Sequence, residues 1–269
     1  MNNLLNRIIT SAVLILFVIA TIFILPDWFF CFVITLFIAL GLYEFFEMVR
    51  NKGIFVYRYF GILTGVLLPV VVYLKYGGFV PDLEPFLIVV ISLFVFILQF
   101  TYKDNSQALS GISITLLGIL YISWFFSFMI RLKYLSNGPY LVSFLLLVTK
   151  LGDMGAYFIG SLIGRHNLIP RISPKKTVEG TVGGFLVSIA TAFISKGLLP
   201  NPSFVDLIML GSFLGVLSQV GDLSESLIKR DCQVKDAATY LPGFGGVLDV
   251  IDSLLFTAPI FYFYVRMFL

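Results

Sequence analysis

Residues 221–252 read GDLSESLIKRDCQVKDAATYLPGFGGVLDVID, with apolar runs on either side. The stretch gathers Asp222, Glu225, Lys229, Arg230, Asp231, Lys235, Asp236, Asp249 and Asp252 in a chain that is 59% hydrophobic and 12% charged. Ionisable groups at membrane depth are expensive, so such a cluster marks a functional site by default. Asp222, Glu225 or Ser226, and Lys229 follow i, i+3/i+4, i+7 spacing and share one helical face. Apolar periodicity then lapses and ends in the breaker Pro242-Gly243-Phe244-Gly245-Gly246, after which Asp249 and Asp252 again share a face. Two carboxylate-bearing helix ends joined by a glycine turn suit Mg²⁺, which takes one or two carboxylates plus waters and substrate phosphates. Backbone N–H groups of Gly245 and Gly246 at a helix start suit phosphate oxygens, and Lys229, Arg230 and Lys235 add cations. Taken singly, Lys229, Arg230, Asp231 and Lys235 also fit an ordinary loop populated by the positive-inside rule.

The composition places this cluster in a polytopic membrane protein. Mean hydropathy is +1.00, there are 29 Phe residues, and apolar runs recur at membrane-spanning length. The net charge of +3 is modest, and no basic arm of the kind that binds nucleic acid is present. Cys31 and Cys232 make neither a disulfide framework nor a metal spacing, and His166 is the only histidine, so zinc and His-dependent triads find little support. Arg230 near Cys232 would lower that thiol's pKa, although a spectator thiol is the simpler reading. The run from Ile8 to Leu25 is too long for a signal-peptide core and reads as a retained first membrane helix.

About nine spans are expected, near 8–25, 28–48, 58–74, 85–101, 109–130, 139–162, 180–199, 204–228 and 246–268. With the N-terminus cytoplasmic, the inner segments hold Arg7, Arg50, Lys52, Arg58, Lys103, Arg165, Arg171, Lys175, Lys176, Lys229, Arg230 and Lys235. That is most of the 18 Lys and Arg, as the positive-inside rule requires. Arg131 and Lys133 are the local exception. The fold class is thus an all-α polytopic integral membrane protein: residues 1–135 supply about five spans and 136–269 about four, with both polar loops and the active site on the cytoplasmic side. Glu44 and Glu47, at the end of the second span, fit cap or anchor residues better than site residues.

A second constellation lies at 150–184, KLGDMGAYFIGSLIGRHNLIPRISPKKTVEGTVGG. Lys150 and Asp153 read as a mutually neutralising i, i+3 pair. Gly152, Gly155, Gly160 and Gly164 allow close helix packing, and would permit a homodimer. Ser173-Pro174-Lys175-Lys176-Thr177 combines two lysines, hydroxyls and the start of the next helix, which suits a polyphosphate; a Thr177/Glu179 helix start in a positive-inside loop is the plainer alternative.

Together the two constellations resemble the phosphatidate cytidylyltransferases. Ser226, Lys229, Arg230, Lys235, Asp236, Pro242, Gly243, Gly245, Gly246, Asp249 and Asp252 match that family's signature in register, as do Gly221 to Ser226. Asp153 to Tyr157 and Ser173 to Gly180 match its upstream motifs. The resemblance implies transfer of a cytidylyl group from CTP to phosphatidic acid, giving CDP-diacylglycerol and pyrophosphate, with Mg²⁺, in the bacterial inner membrane among membrane lipids. It implies Asp222 and Asp249 as metal ligands with Asp153 and Asp252 supporting. Lys175, Lys176, Lys229 and Arg230 would be phosphate contacts, and Ser173, Thr177, Ser226, Lys235, Asp236, Gly245 and Gly246 would line the substrate site. Whether a monovalent cation shares the metal site stays open. Three positions depart from the pattern: Phe244 replaces a histidine, Val250 an arginine and Val178 a tryptophan. The first two keep three alternatives open: a related CTP-using lipid enzyme such as a polyprenol or phytol kinase-like protein, a catalytically impaired homologue, or a transporter. One-sided charge and the lack of paired broken helices speak against the last.

Overall fold

The computed structural model describes residues 14–235, 237–238 and 245–269. Among them nine apolar helices follow one another: α1 Leu14–Phe23, α2 Asp27–Asn51, α3 Arg58–Tyr76, α4 Glu84–Phe100, α5 Ala108–Lys133, α6 Gly138–Ile163, α7 Val178–Ile194, α8 Phe204–Asp231 and α9 Val247–Phe268. Each overlaps one of the expected segments, of which residues 8–13 lie outside the described residues. Six (α2, α3, α5, α6, α8 and α9) are long and apolar enough to cross a membrane, whereas α1, α4 and α7 are shorter. The 17 residues of α4 rise about 25 Å, less than the ~30 Å of a hydrocarbon core. The span expected over 180–199 ends earlier because Ser195 closes α7 and a 3₁₀ turn, Lys196–Leu198, follows.

The polar loop after α6 is not simply irregular. It forms a two-stranded antiparallel hairpin, β1 Asn167–Ile169 and β2 Ser173–Thr177, a small addition to the all-α expectation. Its return strand runs straight into α7, where the Thr177 hydroxyl accepts the Gly180 N–H at 3.1 Å as an N-cap. At the start of α8, Ser203 and Asp206 form a reciprocal capping box.

The core is continuous from Ile22 to Val265 and centres on α9, whose Ile251, Leu255, Phe261 and Tyr262 are almost wholly buried. Around it, α6, α7 and α8 approach closely through small residues. A Cβ at Gly184 would lie 2.7 Å from the Ala156 Cβ and 2.9 Å from the Gly152 carbonyl, and one at Gly221 would lie 2.6 Å from the Asp252 carbonyl. In a bilayer, where burying apolar surface brings little, such backbone contact is a main source of helix association. Gly152 and Gly155 thus serve packing within one chain, which removes their support for a dimer.

Arg131 and Lys133, the exceptions to the charge rule, are neutralised locally. Arg131 pairs with buried Glu84, which also accepts the Trp124 indole N–H at 2.5 Å, and its guanidinium lies 4.0 Å from the Phe128 ring centroid. Lys133 donates to the Ile22 carbonyl, with Asp27 at 3.7 Å. A π-helical turn, Ile119–Trp124, interrupts α5 and sets Trp124 towards Glu84.

Gly184→Val should lower stability by about 1–3 kcal/mol through overpacking. Thermal unfolding in detergent checks this against Gly197→Ala, a position with no atom within 4 Å of the added methyl, which should leave the midpoint unchanged.

Candidate active site

Helices α8 and α9 are joined by one ammonium group. Lys229 Nζ lies 2.5 Å from Asp249 Oδ1 and 2.5 Å from Glu225 Oε2. Glu225 is 1% exposed, and its contact with Lys229 is an ion pair without hydrogen-bond geometry. The i, i+4 spacing of Glu225 and Lys229 on α8 makes that half of the clamp local; Asp249 comes from the following helix. Lys229, expected as a phosphate contact, is therefore engaged by two carboxylates.

The start of α9 is already occupied by protein carboxylates. Glu44, from α2, accepts the Val247 and Leu248 N–H groups at 2.8 Å each and is 1% exposed. Asp249 Oδ2 accepts the Gly246 N–H at 2.7 Å and the Ala237 N–H at 3.3 Å. The expected phosphate contact through the Gly246 N–H is thus taken within the protein, because a helix N-terminus draws the nearest anion and here that anion is a side chain. The two glycines have separate reasons. Gly245 has φ +87°, and a Cβ on Gly246 would lie 2.7 Å from Glu44 Oε2. Glu44 is a cap, as its position at the end of an apolar run indicated, but of a helix some 200 residues later. Only its ionisable character inside a span hinted at the site.

The second constellation meets the first at Asp222. Lys176 Nζ lies 2.8 Å from Asp222 Oδ2, and Ser226 Oγ reaches Asp222 Oδ1 at 3.4 Å. Alternation along β2 sends neighbouring side chains to opposite sides, so Lys176 turns to α8 while Lys175 is exposed. The two adjacent lysines therefore do not act on one point. Ser173 pairs with Ile169 at the start of β2, and Thr177 caps α7. Glu179 binds the hairpin's other end, accepting the Arg165 N–H at 3.0 Å and contacting His166 Nδ1 at 2.6 Å.

Asp153, on α6, accepts the Ser218 hydroxyl of α8. Lys150 and Asp153 are 3.7 Å apart, looser than the neutralising pair expected, because Lys150 donates instead to the Val250 carbonyl and Ser253 Oγ at 2.9 Å each. Asp252 is buried, and its Oδ1 accepts the Ser253 N–H at 2.5 Å. Asp153, Asp222 and Asp252 thus border one junction of α6, α8 and α9. No group of three or more His, Cys, Asp or Glu side chains with metal-binding geometry occurs among the described residues.

Arg230 is exposed and donates from Nε to the Ile172 carbonyl at 3.2 Å, tying the hairpin to the end of α8. Lys235 is exposed, while Asp236 and Phe244 lie outside the described residues. Burial pushes the Cys232 thiol above its ordinary pKa, with Asp231 adding to the effect. Burial thus outweighs the lowering considered from its neighbour Arg230.

Over residues 5–268 the chain matches the Cytidylyltransferase family. It is 35% identical over 286 residues to a phosphatidate cytidylyltransferase of Synechocystis, covering 96% of this chain and 95% of the relative. A phosphatidate cytidylyltransferase of Bacillus subtilis is 38% identical over 184 residues, 66% of this chain and 68% of the relative. One of Thermotoga maritima is 35% identical over 212 residues, 76% of each chain. Polytopic helices and these matches define a membrane-bound nucleotidyltransferase. The chain belongs to the cytidylyltransferase family.

Lys229→Met should cost about 3–5 kcal/mol, because it strands two partly or wholly buried carboxylates; Lys52→Met, which breaks the exposed 2.6 Å pair with Asp231, should cost about 0–1 kcal/mol. Denaturation in detergent compares the two. Glu44→Gln keeps one acceptor for two N–H groups and should cost about 1–3 kcal/mol. Faster amide exchange in a peptide covering 245–252, with α2 unchanged, is the local readout.

Proposed function

We propose that this protein transfers the cytidylyl group of CTP to phosphatidic acid, forming CDP-diacylglycerol and releasing pyrophosphate. The observation that carries the reading is the meeting of the two polar segments at Lys176–Asp222, seven residues along α8 from the Lys229–Asp249 clamp. Cations and carboxylates from distant parts of the chain then line about 10 Å of one helix. The relatives' names and the whole-length match support the same substrates.

In this reading an oxygen of the lipid phosphate attacks the α-phosphorus of CTP. The bond from that phosphorus to the β-phosphate oxygen breaks, and pyrophosphate leaves with the electron pair. A phosphate monoester is already anionic near neutral pH, so no strong base is required. Exposed Lys175 and Arg230, with Lys176, are suited to the triphosphate. Lys229 acts by fixing α8 against α9, so that Asp249 and Asp252 face the junction.

Mg²⁺ takes oxygen ligands, and the carboxylates of Asp153, Asp222 and Asp252 border the junction, Asp222 partly exposed and Asp252 buried. Asp222 would hold the ion with Asp153 and Asp252, and Asp249 would join by giving up one of its present donors. When bound, the ion would neutralise charge on the phosphates. We further read the N-terminus and both polar loops as cytoplasmic, residues 136–269 as the catalytic part and 1–135 as its scaffold, and the membrane as the bacterial inner membrane.

The test is CTP-dependent formation of CDP-diacylglycerol by the purified protein, with phosphatidic acid in mixed micelles and Mg²⁺. Turnover should vanish with EDTA, return with Mg²⁺, and fall about 100-fold or more in Asp222→Asn, the scale of losing one electrostatic contact in an active site. A folded protein that is inactive with phosphatidic acid but active with another lipid phosphate would reject the proposed acceptor.

A further inference from the structure

Most cations in and beside the helices are matched by a close carboxylate. Lys229 has two at 2.5 Å, Lys176 has Asp222 at 2.8 Å, Arg58 has Glu47 at 2.6 Å, and Arg131 has Glu84. Lys150 differs. Its hydrogen bonds go to neutral acceptors, the Val250 carbonyl and Ser253 Oγ, and its nearest carboxylate, Asp153, stands 3.7 Å away. Lys133 has a similar partner set, but its side chain is only 6% exposed. The Lys150 side chain is 38% exposed, beside Asp153 at 34% and Asp222 at 41%.

An ammonium in the middle of a 26-residue apolar helix is costly unless something anionic meets it. Two neutral oxygens hold Lys150 in place across α6 and α9, and Asp153 at 3.7 Å meets its charge only in part. They also aim it at the backbone of Val250, between Asp249 and Asp252. The same helix turns Leu151, Met154 and Tyr157 outward, so an amphiphile lying along α6 would bring its polar end to this lysine.

We propose that Lys150 is a substrate-binding residue that takes a phosphate oxyanion of one of the two substrates. The ammonium holds that phosphate next to the Asp222–Asp252 junction, and the Ser253 hydroxyl and Val250 carbonyl fix its direction. The shared chemistry is a phosphate: that of the acceptor lipid or one of the nucleotide triphosphate. This inference rests on the proposed reaction, and its test is arranged so that the two can fail separately.

Lys150→Met, Lys150→Gln and Lys150→Arg are assayed beside the parent, varying phosphatidic acid at saturating CTP and then CTP at saturating phosphatidic acid. The expected result is a tenfold or greater rise in one KM for Met and Gln, the other KM staying within twofold, and near-parent values for Arg. A rise for the lipid assigns the acceptor phosphate; a rise for CTP assigns the triphosphate. Gln keeps a donor to Val250 and Ser253, so it remains informative if Met does not fold. Binding of phosphatidic acid against diacylglycerol, and of CTP alone, is measured in nanodiscs without turnover. Both KM values and both affinities unchanged in folded Gln and Met variants would overturn the proposal, even if kcat or the unfolding midpoint fell. A parent that binds these ligands without turnover would count against the reaction and not against Lys150.

Discussion

Lys229, shared by Glu225 and Asp249, is the contact on which the arrangement of the C-terminal helices depends. Three ionisable groups are withdrawn from water there, and each is tolerable only because the others are in place. The same economy of charge extends outward. Asp249 also takes the Gly246 N–H, and Glu44 takes the next two, so the first turn of α9 is held by carboxylates from two helices. Breaking one contact would expose several others.

This network ties the N-terminal helices to the start of α9 and the end of α8. Glu44 reaches from α2 to the first turn of α9, and Lys52 reaches from the loop after α2 to Asp231 at the end of α8. The core runs without interruption through both halves. Glu84 and Arg131 bind short α4 to α5, which gives that helix a polar anchor where apolar contact alone would provide little. A scaffold built this way fixes the direction of α9, and with it the carboxylates that α9 carries.

Much of the site was legible because helical spacing is a strict rule. The i, i+4 relation of Glu225 to Lys229 and the close-packing glycines of α6 follow from residue type and interval. Partner choice was not legible. Lys150 and Asp153 have the spacing of a pair and stand 3.7 Å apart, yet the hydrogen bonds of Lys150 go to α9. Lys175 and Lys176 are neighbours in sequence, yet strand alternation parts them. Gly246 sits where a phosphate would be welcome, yet Asp249 and Glu44 have filled the place.

By itself, the sequence determined the membrane class, the positions of nine apolar helices, the two polar segments and the reaction family, because hydropathy, periodicity and motif spacing are local properties of the chain. Only the tertiary structure decided which charges neutralise one another, that Glu44 caps α9, and that Lys150 bonds to α9. Those outcomes depend on distances between helices far apart in sequence. In a low-dielectric interior such pairings are worth far more than in water, so which groups meet decides which charges can be buried.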